Sequence, residues 1–463
     1  MTTVKAKKVF KILFVLTVVV TLVDAAFSAD YIVNNTSDSG AGSLRDAIEW
    51  ANSNSGLDHI NFGIPGDDPH TIFPLSALPD IEESVIIDGY TQSNACPATA
   101  ATSAILKIVL DVRHIAGDAG LFIRGSAQDC ILRGLQIESF GAAIGIAGNH
   151  NSVEGNHILG SIFITGHFNT IGGPRSAQRN VVAGNHDGIG VFPESSHNTI
   201  QGNYIGTDPE GHFDCTDGWD GVGIGGSYNT VVDNLISGYH HQGIGIGKWG
   251  TTHPIPEYNV VVGNRIGTNI DGTSPIPNGH GILINSARYN KITGNLITGN
   301  IFHGILISND LETEPIGNQI SANSIFANDE LGINLVADDD TWPGVTPNDP
   351  GDVDTGPNNL MNFPEITSVM ATPGQTIVRG TIDTPNLMSV TLEFFANSAP
   401  DSSWHGEGET YLGEAKPNSK GKFTATLPPV SPGMLISATA TDSDGNTSEF
   451  ALCIEAEAPG GKK

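Results

Sequence analysis

The sequence predicts an all-β chain: a solenoid of stacked parallel strands, opened by a short capping helix and followed by a β-sandwich. Two recurring phrases predict the solenoid. One reads Asn, any residue, Ile or Val, any residue, a small residue, Asn, any residue, Ile. Its copies are NSVEGNHI from Asn151, NTIQGNYI from Asn198, NTVVDNLI from Asn229, NVVVGNRI from Asn259, NKITGNLI from Asn290 and NQISANSI from Asn318. The other, Gly-Ile-x-Ile and its variants, falls between the copies at Gly188, Gly221, Gly243, Gly281, Gly304 and Gly332. Both alternate apolar with polar or small residues, the two-residue period of a strand with one buried face. A unit this small cannot bury its own apolar face, so successive units must stack, about 4.8 Å apart, into one continuous core. No segment after residue 52 carries a long apolar pattern at helical spacing, which excludes helical repeats.

The elements follow in chain order. Residues 1–29 read as a secretory signal: Lys5, Lys7, Lys8 and Lys11, an apolar run from Ile12 to Val23, then small residues from Ala25 to Ala29. Export is the expectation, with no later stretch apolar and long enough to span a bilayer. Residues 30–337 form the solenoid with its cap. Ser43 is placed to cap a helix with Asp46 at the capping-box position, and Leu44, Ile48 and Ala51 share one face. That helix covers the first rung, as terminal repeats require. Strand-like HINFGI, HTIFP and SVIIDGY follow it, and regular coils run from about Ile105 to Leu335. The second Asn of each phrase falls at 203, 234, 264 and 295, so a turn of about 31 residues is read as two short strands, bends and one longer loop. Asn156, Asn203, Asn234, Asn264 and Asn295 read as a structural ladder, since a residue repeated at every turn serves the repeat. Residues 338–363 shift to Asp, Asn, Pro and Gly, the composition of a junction. Beyond it TIVRGTI, SVTLEFFAN, GKFTATL, LISATATD and SEFALCIE have the spacing of an Ig-like sandwich over 364–457.

Composition narrows the partners. With 50 acidic against 21 basic residues the net charge is −29, which argues against binding a phosphate backbone. The four cysteines, Cys96, Cys130, Cys215 and Cys453, lack metal-ligand spacing and are compatible with one or two disulfides of undetermined pairing.

Several motifs resemble a known group, the secreted bacterial right-handed parallel β-helix repeat proteins. The stretch from Thr36 through Asp38, Gly40, Gly42-Ser43-Leu44-Arg45 to Ala51-Asn52 is similar to the group's mature N-terminal signature. IDGYTQ from Ile87, GNYIGTDPEG from Gly202, NDPGDVDTGPNNLMNFP from Asn348 and ATATDSDGNTSEF from Ala438 are further matches, covering nearly the whole chain. The resemblance implies a right-handed parallel β-helix with a C-terminal sandwich and an exported surface or matrix protein meeting glycans. It implies no activity, because fold does not fix function.

Candidate sites come from register. Aligning the Gly-Ile phrases stacks Asp187, Asp220, Gln242, His280, His303 and Leu331 at one corner of successive turns. His280 and His303, with Asp220 and His241 or His186 nearby, are the catalytic or metal-binding candidates; the alternative is a solvated corner where any polar residue serves. Gly279-His280-Gly281 resembles the GHG motif of polygalacturonases, but His240-His241-Gln242 stands where those enzymes carry an Asp pair, so their hydrolytic mechanism is not expected. A lyase would need carboxylates with a basic residue, and Arg265 and Arg288 complete no such set. Trp219, Trp249, Tyr258 and His241, on the longer loops, are the candidate ligand-binding residues, since sugar rings stack on apolar planes while their hydroxyls take polar partners. Loop anchoring is the competing role. Asp349, Asp352 and Asp354 offer hard oxygen ligands on a tight turn, and calcium is the expected ion, joining solenoid to sandwich, against a plain acidic linker. Three functions compete: a non-catalytic exported scaffold engaging polysaccharide, which is favoured; a polysaccharide lyase or glycosidase; and an exported metal-binding protein.

Overall fold

Each turn of the solenoid passes through three short strands, where the sequence reading expected two. The computed structural model describes residues 28–459 except 116–118, 185–186, 312 and 337–343. Residues 1–27, which hold most of the expected export signal, His186 and Asp338 to Asp340 therefore lie outside the described residues. The extra strand arises because the Asn phrase bends at its middle. Ile200 and Ile205, an odd number of residues apart, would face opposite sides of a straight strand, yet both are buried. The chain turns between them at Gly202, whose φ of 68° is left-handed. Gly263 and Gly294 turn the same way at 69° and 66°, while Asp233 and Ala322 accept that backbone at 55° and 51° without being glycine.

Three parallel stacks result. The first is an eleven-stranded sheet from Asp30–Val33 to Gln319–Ser321. The second runs from His70–Ile72 to Ser324–Phe326 and the third from Leu121–Ile123 to Ile333–Leu335. They merge where the long strands Leu135–Ile146 and His157–Ile164 continue round the corner. The architecture is a right-handed parallel β-helix, the hand that twisted strands impose on parallel crossovers. Inside, Ile171, Ile200, Val231, Val261, Ile292 and Ile320 stack from the first sheet. Ile205, Ile236, Ile266, Ile297 and Ile325 stack from the second, and Ile189, Val222, Ile244, Ile282, Ile305 and Ile333 from the third. All are buried, each contributing about 1.5–3 kcal/mol of transfer free energy.

Buried asparagines run alongside these columns. At one corner Asn151, Asn169, Asn198, Asn229, Asn259, Asn290 and Asn318 each donate a backbone N–H to the side-chain oxygen of the next, ending on Asn358. At a second corner Asn156, Asn180, Asn203, Asn234, Asn264 and Asn295 do the same, ending on Asn323. The side-chain amides donate to backbone carbonyls, as Asn234 does to Ile200 at 2.9 Å, so corner groups that water cannot reach are satisfied turn by turn.

Both ends of the coil are covered. The helix Leu44–Ser53 buries Leu44, Ala47, Ile48 and Ala51 on the first rungs, with Ser43 accepting from the Asp46 N–H. At the other end sits a sandwich of a three-stranded antiparallel sheet (Glu365–Ala371, Thr376–Thr381, Lys422–Leu427) and a four-stranded one (Thr391–Asn397, Thr410–Ala415, Leu435–Thr441, Ile454–Glu455). It closes the open edge with carboxylates. Glu393 accepts from Ser321 and the Ala322 N–H, Glu407 from the backbone and side chain of Asn328, and Glu449 from the Leu335 N–H at 2.9 Å. Burial pushes the Glu407 carboxyl up to about 7, against the pull of its hydrogen bonds with Asn328. All four cysteines are free thiols, Cys130 and Cys453 buried, Cys96 and Cys215 exposed, so no disulfide staples the fold.

Two outcomes are expected. Asn234→Ala orphans the Asn203 N–H and removes the side-chain amide bonded to the Ile200 carbonyl, and should cost about 1–3 kcal/mol in denaturant unfolding. A cost below 1 kcal/mol would remove the ladder's structural role. Glu407 favours its protonated form when folded, so its contribution is present below pH 4.5 and lost as pH rises through about 7. The stability of Glu407→Gln relative to the parent should therefore climb across that window, by up to about 3 kcal/mol. A pH-independent difference would contradict the account.

Candidate functional site

The outward face of the third sheet contains a depression made by missing side chains. In the Gly-Ile phrases the isoleucines point inward, so the residue between them points out. At three successive rungs that residue is Gly190, Gly223 and Gly245, paired in register. The flanking rungs carry Phe163 and Leu283 at the same position, which raises the floor on both sides. A Cβ at Gly223 would meet only the Trp249 ring, 3.7 Å away, so core packing does not explain that glycine; it leaves room above the sheet. The loop after Gly247 brings Trp249 over one side, edge-on to Phe192 at 4.8 Å between ring centres. Asp187, Asp220 and Gln242 line the opposite rim, one per rung, and Lys248 and Asn285 complete a cleft of about 370 Å³.

The rim is electrostatically loaded. The Asp220 N–H donates to the Asp187 carboxylate at 3.3 Å. Burial, with the Asp187 charge added to it, pushes the Asp220 carboxyl up to about 7, and hydrogen bonds from Gln242 oppose the rise. Asp220 therefore gains a proton far more readily than an exposed carboxylate. His241 Nδ1 lies 4.0 Å from Asp220, and Trp219 packs edge-on to the His241 ring at 4.2 Å. An apolar plane, carboxylates and an amide converge here.

The polar column read from sequence divides in two. Its register is present: Asp220 pairs with Gln242 and Gln242 with His280, and the His280 and His303 rings stack 5.5 Å apart. Only the Asp187, Asp220 and Gln242 half opens on the cleft. His303, expected as a catalytic or metal-binding partner of His280, is fully buried. Its Nδ1 accepts from the Leu331 N–H at 3.1 Å, and its Nε2 lies 2.9 Å from the Asn334 amide nitrogen and 3.1 Å from the Glu330 carboxylate. Burial, reinforced by His280, pushes His303 down to about 3, and burial with His241 pushes His280 down to about 4. Both rings are neutral at physiological pH, and His303 serves the core.

Tyr258 lies elsewhere too. It belongs to a file of stacked rings, His150, Phe168, His197, Tyr228, Tyr258 and Tyr289, one per turn and 4.8–5.3 Å apart. Each precedes a ladder asparagine and has left-handed φ between 54° and 60°. Neighbouring rings cover both faces of Tyr258, leaving none for a sugar. Asp349, Asp352 and Asp354 do converge, with one carboxylate oxygen from each within 4.8 Å of the others. Asp352 accepts from the Asn362 N–H at 2.8 Å and from the Thr384 hydroxyl, so the turn abuts the sandwich. Burial, and then the charges of Asp349 and Asp442, raises the Asp352 carboxyl.

The floor glycines, Asp187, Lys248 and Asn285 were not named as a site from sequence. Glycine at the outward position of three consecutive Gly-Ile phrases was the available signal.

Residues 149–342, nearly all of them in the coils, match a family model described as periplasmic copper-binding protein (NosD). The sequence matches no curated protein. Among solved structures, the Azotobacter vinelandii mannuronan C-5 epimerase AlgE6 A-module is similar at 13% identity, over 66% of this chain and 79% of that one, with a TM-score of 0.45. The AlgE4 A-module from the same organism gives 12%, 68% and 100%, with a TM-score of 0.40. The enzymatically active domain of bacteriophage CBA120 tailspike protein 2 gives 9%, 90% and 73%, with a TM-score of 0.39. No helix among the described residues is long and apolar enough to cross a membrane. Repeat match and architecture agree that the chain is a right-handed parallel β-helix repeat protein with a C-terminal β-sandwich.

Proposed function

We propose that the protein is an exported glycan-binding β-helix whose ligand lies in the glycine-floored cleft. The observation that carries this reading is the shelf at Gly190, Gly223 and Gly245, walled by Trp249 and rimmed by Asp187, Asp220 and Gln242. A pyranose on the shelf presents its apolar face to the indole and its hydroxyls to the rim. The basic and apolar run over residues 1–29 supports export. Trp249→Ala should weaken retention on an immobilised panel of acidic and neutral polysaccharides at least tenfold, with Trp404→Ala, outside the cleft, unchanged. Retention by neither protein, or equal retention by both, would overturn the reading.

A second reading is favoured by the carboxyl pair. A buried Asp220 carboxyl, raised to about 7, beside a second carboxyl is the kind of pair that glycosidic cleavage uses, one group to donate a proton. Turnover of the panel, followed by reducing ends and by absorbance of unsaturated products, should then vanish in Asp220→Asn while binding persists; absence of any product from the parent leaves binding alone.

A metal role centres on Asp349, Asp352 and Asp354. Their hard oxygens suit calcium rather than copper. Calcium should produce titration heat and a raised melting temperature, both lost in Asp352→Asn with Asp354→Asn. No heat and no shift would eliminate the site.

A further inference from the structure

We infer a second ligand site on a different face of the coil, a pocket over the second sheet that takes the carboxylate of an acidic monosaccharide unit through Arg179. The pocket, about 340 Å³, is of ligand size. Its floor is built by register: Gln136, His157 and Val181 follow one another on consecutive rungs. Its roof is the segment closed by pairing of Cys96 with Ile105, held down where the Ser103 hydroxyl donates to Glu210 at 2.8 Å and to the Pro209 carbonyl at 3.3 Å. Ile105 and Val181 supply apolar surface, while Gln136, His157 and Ser103 supply hydrogen-bonding groups.

Charge selects the ligand. In a chain of net charge −29, Arg179 is the one charged side chain lining this pocket. Its guanidinium lies 4.0 Å from the centre of the Tyr204 ring, and Nε is buried without a hydrogen-bond partner. No ion pair among the described residues involves it. Arg179 is otherwise half-buried, and a planar carboxylate is the group that its guanidinium matches best. The two carboxylates that act on His157 are already engaged, Glu138 with Gln136 at 2.7 Å and with Arg113 at 2.9 Å, and Glu210 with Ser103. His157 is held neutral, because burial depresses it more than Glu138 and Glu210 raise it, so it serves a sugar hydroxyl as donor or acceptor. One cation, neutral polar groups and an apolar wall specify a hydroxylated ligand with one negative charge.

Titration of the full chain with glucuronate, glucose and inorganic phosphate, followed by saturation-transfer NMR and calorimetry, tests this. Glucuronate should saturate, glucose should bind at least tenfold more weakly, and Arg179→Gln should abolish the difference between them. Arg179→Lys, which keeps the cation over Tyr204, controls for folding, and Ala104→Trp, which fills the pocket, should abolish glucuronate binding without touching the guanidinium. Trp249→Ala should leave it unchanged, separating this site from the cleft. No saturation by glucuronate, saturation unaffected by Arg179→Gln or Ala104→Trp, or binding of phosphate without glucuronate would each overturn the proposal.

Discussion

A coil that bends three times per turn must bury backbone groups at its corners, and the whole molecule depends on satisfying them. Apolar columns alone would supply the driving force for collapse but leave corner amides and carbonyls without water or partner. The asparagine ladders resolve this, because one side chain both accepts from the turn before it and donates back to a carbonyl. The arrangement also sets register. A slip of one residue would pull every amide out of line and turn every isoleucine to solvent.

The same logic explains the ends. A ladder cannot stop without leaving its last donors orphaned, and at the last rungs residues from beyond the coil take over: Asn358 takes the Asn318 N–H, Glu407 takes the amides of Asn328, and Thr447 takes the Ile320 N–H at 3.0 Å. The sandwich is thus bonded to the coil through buried polar groups. Its cost appears in the raised Glu407 and Glu393 carboxyls, which burial drives toward their protonated forms.

Much of the fold was legible because its signals are local and repeated. The Asn and Ile spacing gave the stack, and Ser43 with Leu44, Ile48 and Ala51 gave the capping helix. The third strand was less visible, since it hides inside the Asn phrase; the odd separation of Ile200 and Ile205 was the clue, readable only if both are taken to be buried. The site was legible in part. Register placed Asp220, Gln242 and His280 in one column, but alignment cannot tell a rung that opens on a cleft from one covered by Glu330 and Asn334. Tyr258 misled because aromatic residues in loops read alike whether their faces are free or stacked. The cleft floor was invisible as a site because its defining feature is the absence of side chains, and the Arg179 pocket because its roof and floor lie some 30 residues apart or more.

Regular coils thus build two differently charged recesses on two faces while the corners hold the frame rigid. The claim beneath this is that the buried asparagines couple the turns into one cooperative unit, and native-state hydrogen exchange tests it most directly. The backbone amides of Asn198, Asn203, Asn229, Asn234, Asn259 and Asn264 should exchange together, only through global unfolding and with the highest protection in the chain. Ladder amides that exchange at different rates, or as fast as the exposed loop around Trp249, would contradict it.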